Sequence, residues 1–231
     1  MARFGAVAEI CKHSFLERFI GANAVVFDLG SFRGEFAHEM IRRYGCRVVS
    51  VEPVKQLYDK IARHPKLELL PVAVGGTNHM IELNVFANRC ASALGPVSAE
   101  EKMVAQPVEM ITIAELRRRT RTAKVDLLKL DIEGAEIDLF AQSSDEELQA
   151  YPQITLEFHD WLYASQVANV IDVLERMRRI GFWVIPFSLD HSDVLFLNRQ
   201  TGVSLAEVVY LRSVVKYSMG IARRFRNAFG N

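Results

Sequence analysis

Residues Ala24 to Glu52, AVVFDLGSFRGEFAHEMIRRYGCRVVSVE, read as strand, glycine turn, helix and strand, a unit that belongs to a parallel sheet. Ala24 to Leu29 is a short apolar run broken only by Asp28 and closed by Gly30, as a strand buried on both faces reads. From Glu35 to Tyr44 the residues Phe36, Ala37, Met40 and Ile41 fall at helical spacing between charges, and Gly45 stands at the C-cap. Arg47 to Val51 is a second β-branched run, and it ends on Glu52. In a nucleotide-binding half of this kind the glycines let backbone approach the ligand, and a carboxylate at the second strand tip accepts from ribose hydroxyls.

The glycine spacing selects among nucleotides. Gly30 and Gly34 are separated by Ser31, Phe32 and Arg33, so the dinucleotide fingerprint G-x-G-x-x-G is absent, and so is a G-x-x-x-x-G-K-S/T phosphate loop. The remaining pattern, acid-x-Gly-x-x-x-Gly with an acid at the next strand tip, suits a ribose with a charged amino-acid end, such as S-adenosylmethionine, better than a diphosphate. A plainer alternative stays open for this segment alone: Asp28 and Glu52 could simply cap a turn and a helix.

Among 231 residues, Lys+Arg and Asp+Glu each number 28, so no electrostatic case for nucleic acid arises and no nucleic-acid partner is expected. Cys11, Cys46 and Cys90 are scattered and odd in number, which indicates neither a disulfide framework nor a zinc site and points to reduced thiols in the cytoplasm. Arg3, Glu9 and Lys12 interrupt the N-terminus, against a secretory signal, and no run of about 18 apolar residues suggests a bilayer span.

Along the chain, the apolar spacing of Val7 to Ile20 predicts an amphipathic helix beside the first strand. Pro53 opens a predicted helix with Leu57, Tyr58 and Ile61 on one face, ending before Pro65. Leu67 to Val74 is a third strand and Met80 to Phe86 an edge strand, while Ala87 to Gln106 is a long loop expected to act as a substrate lid. Pro107 to Met110 reads as a short strand, and Thr112 to Glu115 is a capping box. Val125 to Leu130 is a buried strand running into Asp131-Ile-Glu-Gly-Ala-Glu136, which gathers Lys129, Asp131, Glu133 and Glu136 at the edge where open α/β folds place their sites. Asp131 and Glu133 could be acids at a helix start, but capping does not explain Lys129 inside a buried strand.

Ser144 to Glu147 is a second capping box, and the strand Ile154 to Phe158 ends in Glu157, His159 and Asp160. Val167 to Ile180 is an amphipathic helix, and Phe182 to Phe187 with Val194 to Leu197 form a hairpin whose last strand runs antiparallel. The expected division is a domain over residues 1–203, its N-terminal helix within 1–22, and a basic helical tail over 204–231. After Glu207 that tail carries only Arg212, Lys216, Arg223, Arg224 and Arg226 as charges, which suits either contact with an anionic membrane or partner, or a docked helix with a frayed basic end.

Taken together, Asp28-Leu-Gly-Ser-Phe-Arg-Gly34, Val51-Glu-Pro53, Pro71-Val-Ala-Val-Gly75, Thr112-Ile-Ala-Glu-Leu116, Asp126-Leu-Leu-Lys-Leu-Asp-Ile-Glu-Gly-Ala-Glu136 and Ile154-Thr-Leu-Glu157 resemble, in this order, the FkbM family of S-adenosylmethionine-dependent class I methyltransferases. The resemblance implies an α/β, Rossmann-like, seven-stranded sheet, mostly parallel with a C-terminal antiparallel hairpin. It implies methyl transfer to a hydroxyl on a sugar, glycan or small natural product. By it, Asp28, Gly30 and Gly34 surround the methionine end of the cofactor, with Ser31 in the same turn; Glu52 and Pro53 stand at the ribose, Ala73 and Val74 near the adenine, and Asp131 at the junction with the acceptor. The family's usual D-x-G-A-N-x-G has Phe32 here in place of an amide.

Methyl transfer asks the protein to align an oxygen behind an activated methyl and to remove its proton. The candidate bases are Asp131, Glu133 and His159, the last for its titration range, with Lys129 orienting the acids. The acids at two strand tips have no spacing diagnostic of a metal, so none is assigned. Two other classes are a cofactor-binding module without catalysis, which the Phe32 departure would fit, and a nicotinamide-dependent oxidoreductase, which the missing fingerprint disfavours.

Overall fold

The computed structural model describes residues 6–86, 103–159, 164–188, 190–218 and 220. The chain opens on two antiparallel strands, β1 (Val7–Ile10) and β2 (His13–Leu16), turning through Cys11 and Lys12, both at positive φ. This corrects the helix expected over Val7 to Ile20. All four residues of β2 are buried, and a helix of this length could not bury four consecutive side chains on one face. Ser14 and the Leu16 amide survive burial because distant partners meet them: Asp193 accepts from the Ser14 amide at 3.1 Å and its hydroxyl at 2.6 Å, while Gln153 accepts from the Leu16 amide at 2.9 Å.

The predicted βαβ unit follows as β3 (Val25–Leu29), α1 (Glu35–Tyr44) and β4 (Arg47–Val51), with Gly45 left-handed at the helix end. α1 buries Phe36, Ala37, Met40 and Ile41. The helix expected after Pro53 shrinks to α2 (Lys55–Tyr58). The third strand is divided: β5 (Leu67–Leu70) stays in the main sheet, and β6 (Ala73–Val74) joins another. Pro71, which has no N–H to continue a ladder, stands at the break. β7 (His79–Phe86) pairs antiparallel with β8 (Met103–Ile111), and β6-β8-β7 form a separate three-stranded sheet. Residues 103–106 of the expected lid are therefore strand, and 87–102 lie outside the described residues.

Thr112 caps α3 (Ile113–Arg119), its hydroxyl accepting from the Glu115 amide, and β9 (Leu127–Leu130) leads into α4 (Glu136–Gln142). Ser144 caps α5 (Asp145–Gln149) in the same way. Then come β10 (Gln153–Leu156), α6 (Val167–Arg179), β11 (Phe182–Pro186), β12 (Val194–Asn198) and α7 (Leu205–Tyr210). The main sheet has seven strands in the order β11-β12-β10-β9-β3-β4-β5, parallel except for β12, which runs antiparallel to both neighbours. This is the class I arrangement anticipated above.

One face of the sheet packs on α1 and the N-terminal hairpin, the other on α3, α4 and α6, while Val208 of α7 and Leu211 just after it are buried against β2, β11 and β12. Arg18 donates to Glu207 at 2.8 Å, tying the start of the chain to α7. Arg223, Arg224 and Arg226 lie outside the described residues. Among those described, no helix is long and apolar enough to cross a membrane.

If the hairpin is held as these contacts state, Asp193→Ala leaves a buried amide and hydroxyl of Ser14 without an acceptor. The expected loss is about 3 kcal/mol in urea unfolding, with Ser14→Ala costing less because the amide keeps its carboxylate.

Candidate active site

The site forms where β3, β4, β9 and β10 end along the carboxyl edge. At the first turn Gly30 has φ 86°, and a Cβ built there would fall 1.8 Å from the Asp131 carbonyl oxygen, so only glycine lets the two strand ends come this close. The Gly30 and Ser31 amides and the Ser31 hydroxyl all donate to the Val51 carbonyl. Glu52 laces the second turn to the first, accepting from the Phe32 amide at 2.7 Å and the Val54 amide at 2.9 Å. Burial lifts the Glu52 carboxyl to about 7 in spite of those two donors.

Lys129 on β9 lies across the strand ends. Its ammonium donates to the Gly30 carbonyl at 2.6 Å and pairs with Asp28 at 3.1 Å and Asp131 at 3.5 Å. Burial opposes its charge, yet the two carboxylates outweigh burial and raise its pKa above the ordinary lysine value. Asp28 completes the group by accepting from Ser50 at 2.9 Å.

In the turn after β9, Glu133 and Gly134 both take positive φ. Glu136, itself buried, accepts from the Ile132 and Gly134 amides at 2.9 Å each and so holds this turn in shape. The same carboxylate lies 3.2 Å from His159 Nδ1, while His159 Nε2 is 3.5 Å from Glu133 and 3.6 Å from Asp131. Burial resists charge on this ring, but the bond to Glu136 and the carboxylates of Glu133 and Asp131 raise it to about 9. His159 is thus an imidazolium near neutrality. Asp131, 29% exposed, is held below the usual carboxylate range: the desolvation that would raise it is outweighed by Lys129, His13 and His159.

Two groups missing from the sequence-based candidates complete the cluster. His13, 1% exposed, brings Nε2 to 3.6 Å from Asp131 and meets the Phe36 ring edge-on. It was hidden because its segment read as a helix. Glu157 follows β10, and burial with the nearby Asp131 lifts its carboxyl to about 7. The sequence placed Glu157 at a strand tip without giving it a role.

Beside the cluster opens a cleft whose empty space, with the solvent at its mouth included, is ≈ 800 Å³. Gly30, Glu52, Pro53, Ala73, Val74, Asp131 and Glu133 all line it. Asp28, Ser31 and Gly34 do not reach its wall: Asp28 is wholly buried under Lys129, and Gly34 starts α1 against Ile61. Ile81, Leu83 and Met110, from the three-stranded sheet, supply much of the apolar wall, and half-exposed Phe32 stands beside them.

A family model described as "Methyltransferase FkbM domain" matches residues 20–183. Among solved structures, the chain is similar to methyltransferase FkbM from Methylobacillus flagellatus KT, at 12% identity and a TM-score of 0.50, covering 77% of this chain and 44% of that one. The chain thus spans less than half the length of that relative. It is also similar to a methyltransferase from Pyrococcus furiosus, at 11% identity, a TM-score of 0.40 and 78% of each chain. A third similar structure is the plantazolicin methyltransferase BpumL in complex with SAH, at 9% identity, a TM-score of 0.39 and 76% of each chain. No curated protein sequence matches this chain.

Gly30→Ala tests the strand-end contact. The added methyl must displace the Asp131 backbone, so the variant is expected to lose about 2–4 kcal/mol in chemical denaturation.

Proposed function

The chain belongs to the FkbM methyltransferase domain family, and on that premise we propose that it transfers the methyl group of S-adenosylmethionine to a hydroxyl oxygen on a sugar, glycan or small natural product. The observation that carries the proposal is the cleft itself: a carboxylate at the tip of β4, bare backbone at Gly30 and the Asp131 cluster share one wall at the carboxyl edge of the sheet.

S-adenosylmethionine, when bound, supplies a methyl already activated on a sulfonium. In this reading Glu52 accepts from the ribose hydroxyls, Pro53 borders them, and Ala73 and Val74 bound the adenine. Gly30 lets backbone approach the methionine end, while Asp28, Ser31 and Gly34 fix the turn from behind. Asp131 faces both donor and acceptor. The acidic surplus around it, Glu133 and Glu136 included, favours a cationic donor over its neutral product.

Alignment is the larger task, and the proton the smaller one. Of the groups named to take it, Asp131 is held ionised and is a weak base, and His159 already carries a proton. Glu133, at the cleft wall and 3.5 Å from His159, is left as the acceptor of the hydroxyl proton. Lys129 and His159 position the carboxylates.

Calorimetric titration with S-adenosylhomocysteine tests the proposal. The wild type is expected to bind, and Glu52→Ala, with its fold intact by circular dichroism, to lose binding. A wild type that does not bind would overturn the reading. The pH dependence has a definite sign. Ribose hydroxyls prefer the ionised form of a carboxyl that titrates at about 7, so affinity should be level above that pH. Below it, affinity should fall by about tenfold per pH unit, and Glu52→Gln should flatten this profile.

A further inference from the structure

We propose that His13, Asp131 and Glu157 bind a divalent first-row metal cation of Mn2+ type through one imidazole nitrogen and two carboxylates. The ligands come from three elements, β2 and the ends of β9 and β10, and one ligand atom from each lies within 4.8 Å of the others. Two ligands of one ion at about 2.1–2.2 Å stand about 3 Å apart when adjacent and about 4.3 Å when opposite, so a modest contraction closes the site.

His13 supplies the second observation. Its ring is almost wholly buried, Nδ1 has no hydrogen-bond partner, and Nε2 stops 3.6 Å from Asp131, beyond hydrogen-bond reach. The ring is nevertheless fixed, through the β1–β2 pairing, the Phe36 edge contact and the Ser14–Asp193 bonds. The ring is thus held with one buried nitrogen unpaired and the other turned toward the Asp131 carboxylate, where a cation shared by the two could sit.

The charges around the site also favour a cation. Asp28, Asp131, Glu133, Glu136 and Glu157 outnumber Lys129 and His159, even with exposed Lys12 nearby. His159 is less available as a ligand, since both its nitrogens already face carboxylates. A mixed nitrogen and oxygen set suits Mn2+ and its neighbours better than Mg2+ or Ca2+, which prefer oxygen alone.

The site stands on geometry. Its use rests on the methyl-transfer reading: an ion at Asp131 would bind the acceptor hydroxyl, lower its pKa and so let a weak base take the proton.

The test is titration of the full chain with MnCl2, followed by the loss of free-ion electron paramagnetic resonance signal. One ion per chain is expected, and His13→Gln and Glu157→Gln should each weaken uptake about tenfold or more while S-adenosylhomocysteine binding is unchanged. Should His13→Gln fail to fold, Glu157→Gln reads the same site from β10. No uptake by the wild type, or uptake unaltered in the folded variants, overturns the proposal. Uptake lost in Glu133→Gln but kept in His13→Gln also overturns it, placing the ion at Glu133 and His159 instead. Mn2+ uptake without S-adenosylhomocysteine binding supports the metal site and counts against the methyltransferase reading alone.

Discussion

One buried ammonium holds the working edge of this protein together. Asp28 is the register partner of Ser50 on one side and of Lys129 on the other, so three adjacent strands present a carboxylate, a hydroxyl and an amine to one another. A slip of one residue in either pairing would turn one of these groups to the opposite face. Lys129 therefore fixes more than its own position: it determines where β3 and β9 end, and so where Gly30 and Asp131 meet. A charge buried this deeply is tolerated only while its partners stay, which makes the network a stringent test of correct assembly.

Much of this was legible in the sequence, because the signals are local. The Gly30 turn, α1, the acid at the tip of β4, both capping boxes and the odd lysine in β9 each follow from neighbours within a few residues. The N-terminal hairpin was not, because Ser14 and Leu16 are satisfied by Asp193 and Gln153, partners that no local pattern can announce. With the hairpin went His13. The second sheet was missed for a related reason: β6 is two residues long, and its place is set by pairing with β8 across a long separation. That sheet carries Ile81, Leu83 and Met110, so the apolar side of the cleft could not be listed from the chain alone.

His159 shows how far a site can depart from the character of a residue type. An imidazole at a strand tip invites a role as a base, since its ordinary titration range straddles neutrality. Three carboxylates around this ring reverse that expectation by stabilising its charged form. Which groups gather around a ring is decided by the turn that Glu136 holds, and this turn depends on two backbone amides rather than on any feature of the histidine.

The pinning of β2 by β10 and β12 also has a bearing on folding order. Ser14 and Asp193 are 179 residues apart in the chain, so their contact closes a very long loop and carries the entropic cost of such closure. During synthesis the βαβ unit from β3 to β4 can form early from local contacts. The hairpin must wait for β10 and β12, which are made after it. A growing chain can thus build the glycine turn before it can place His13, and the cluster around Asp131 is complete only once the C-terminal hairpin has joined the sheet.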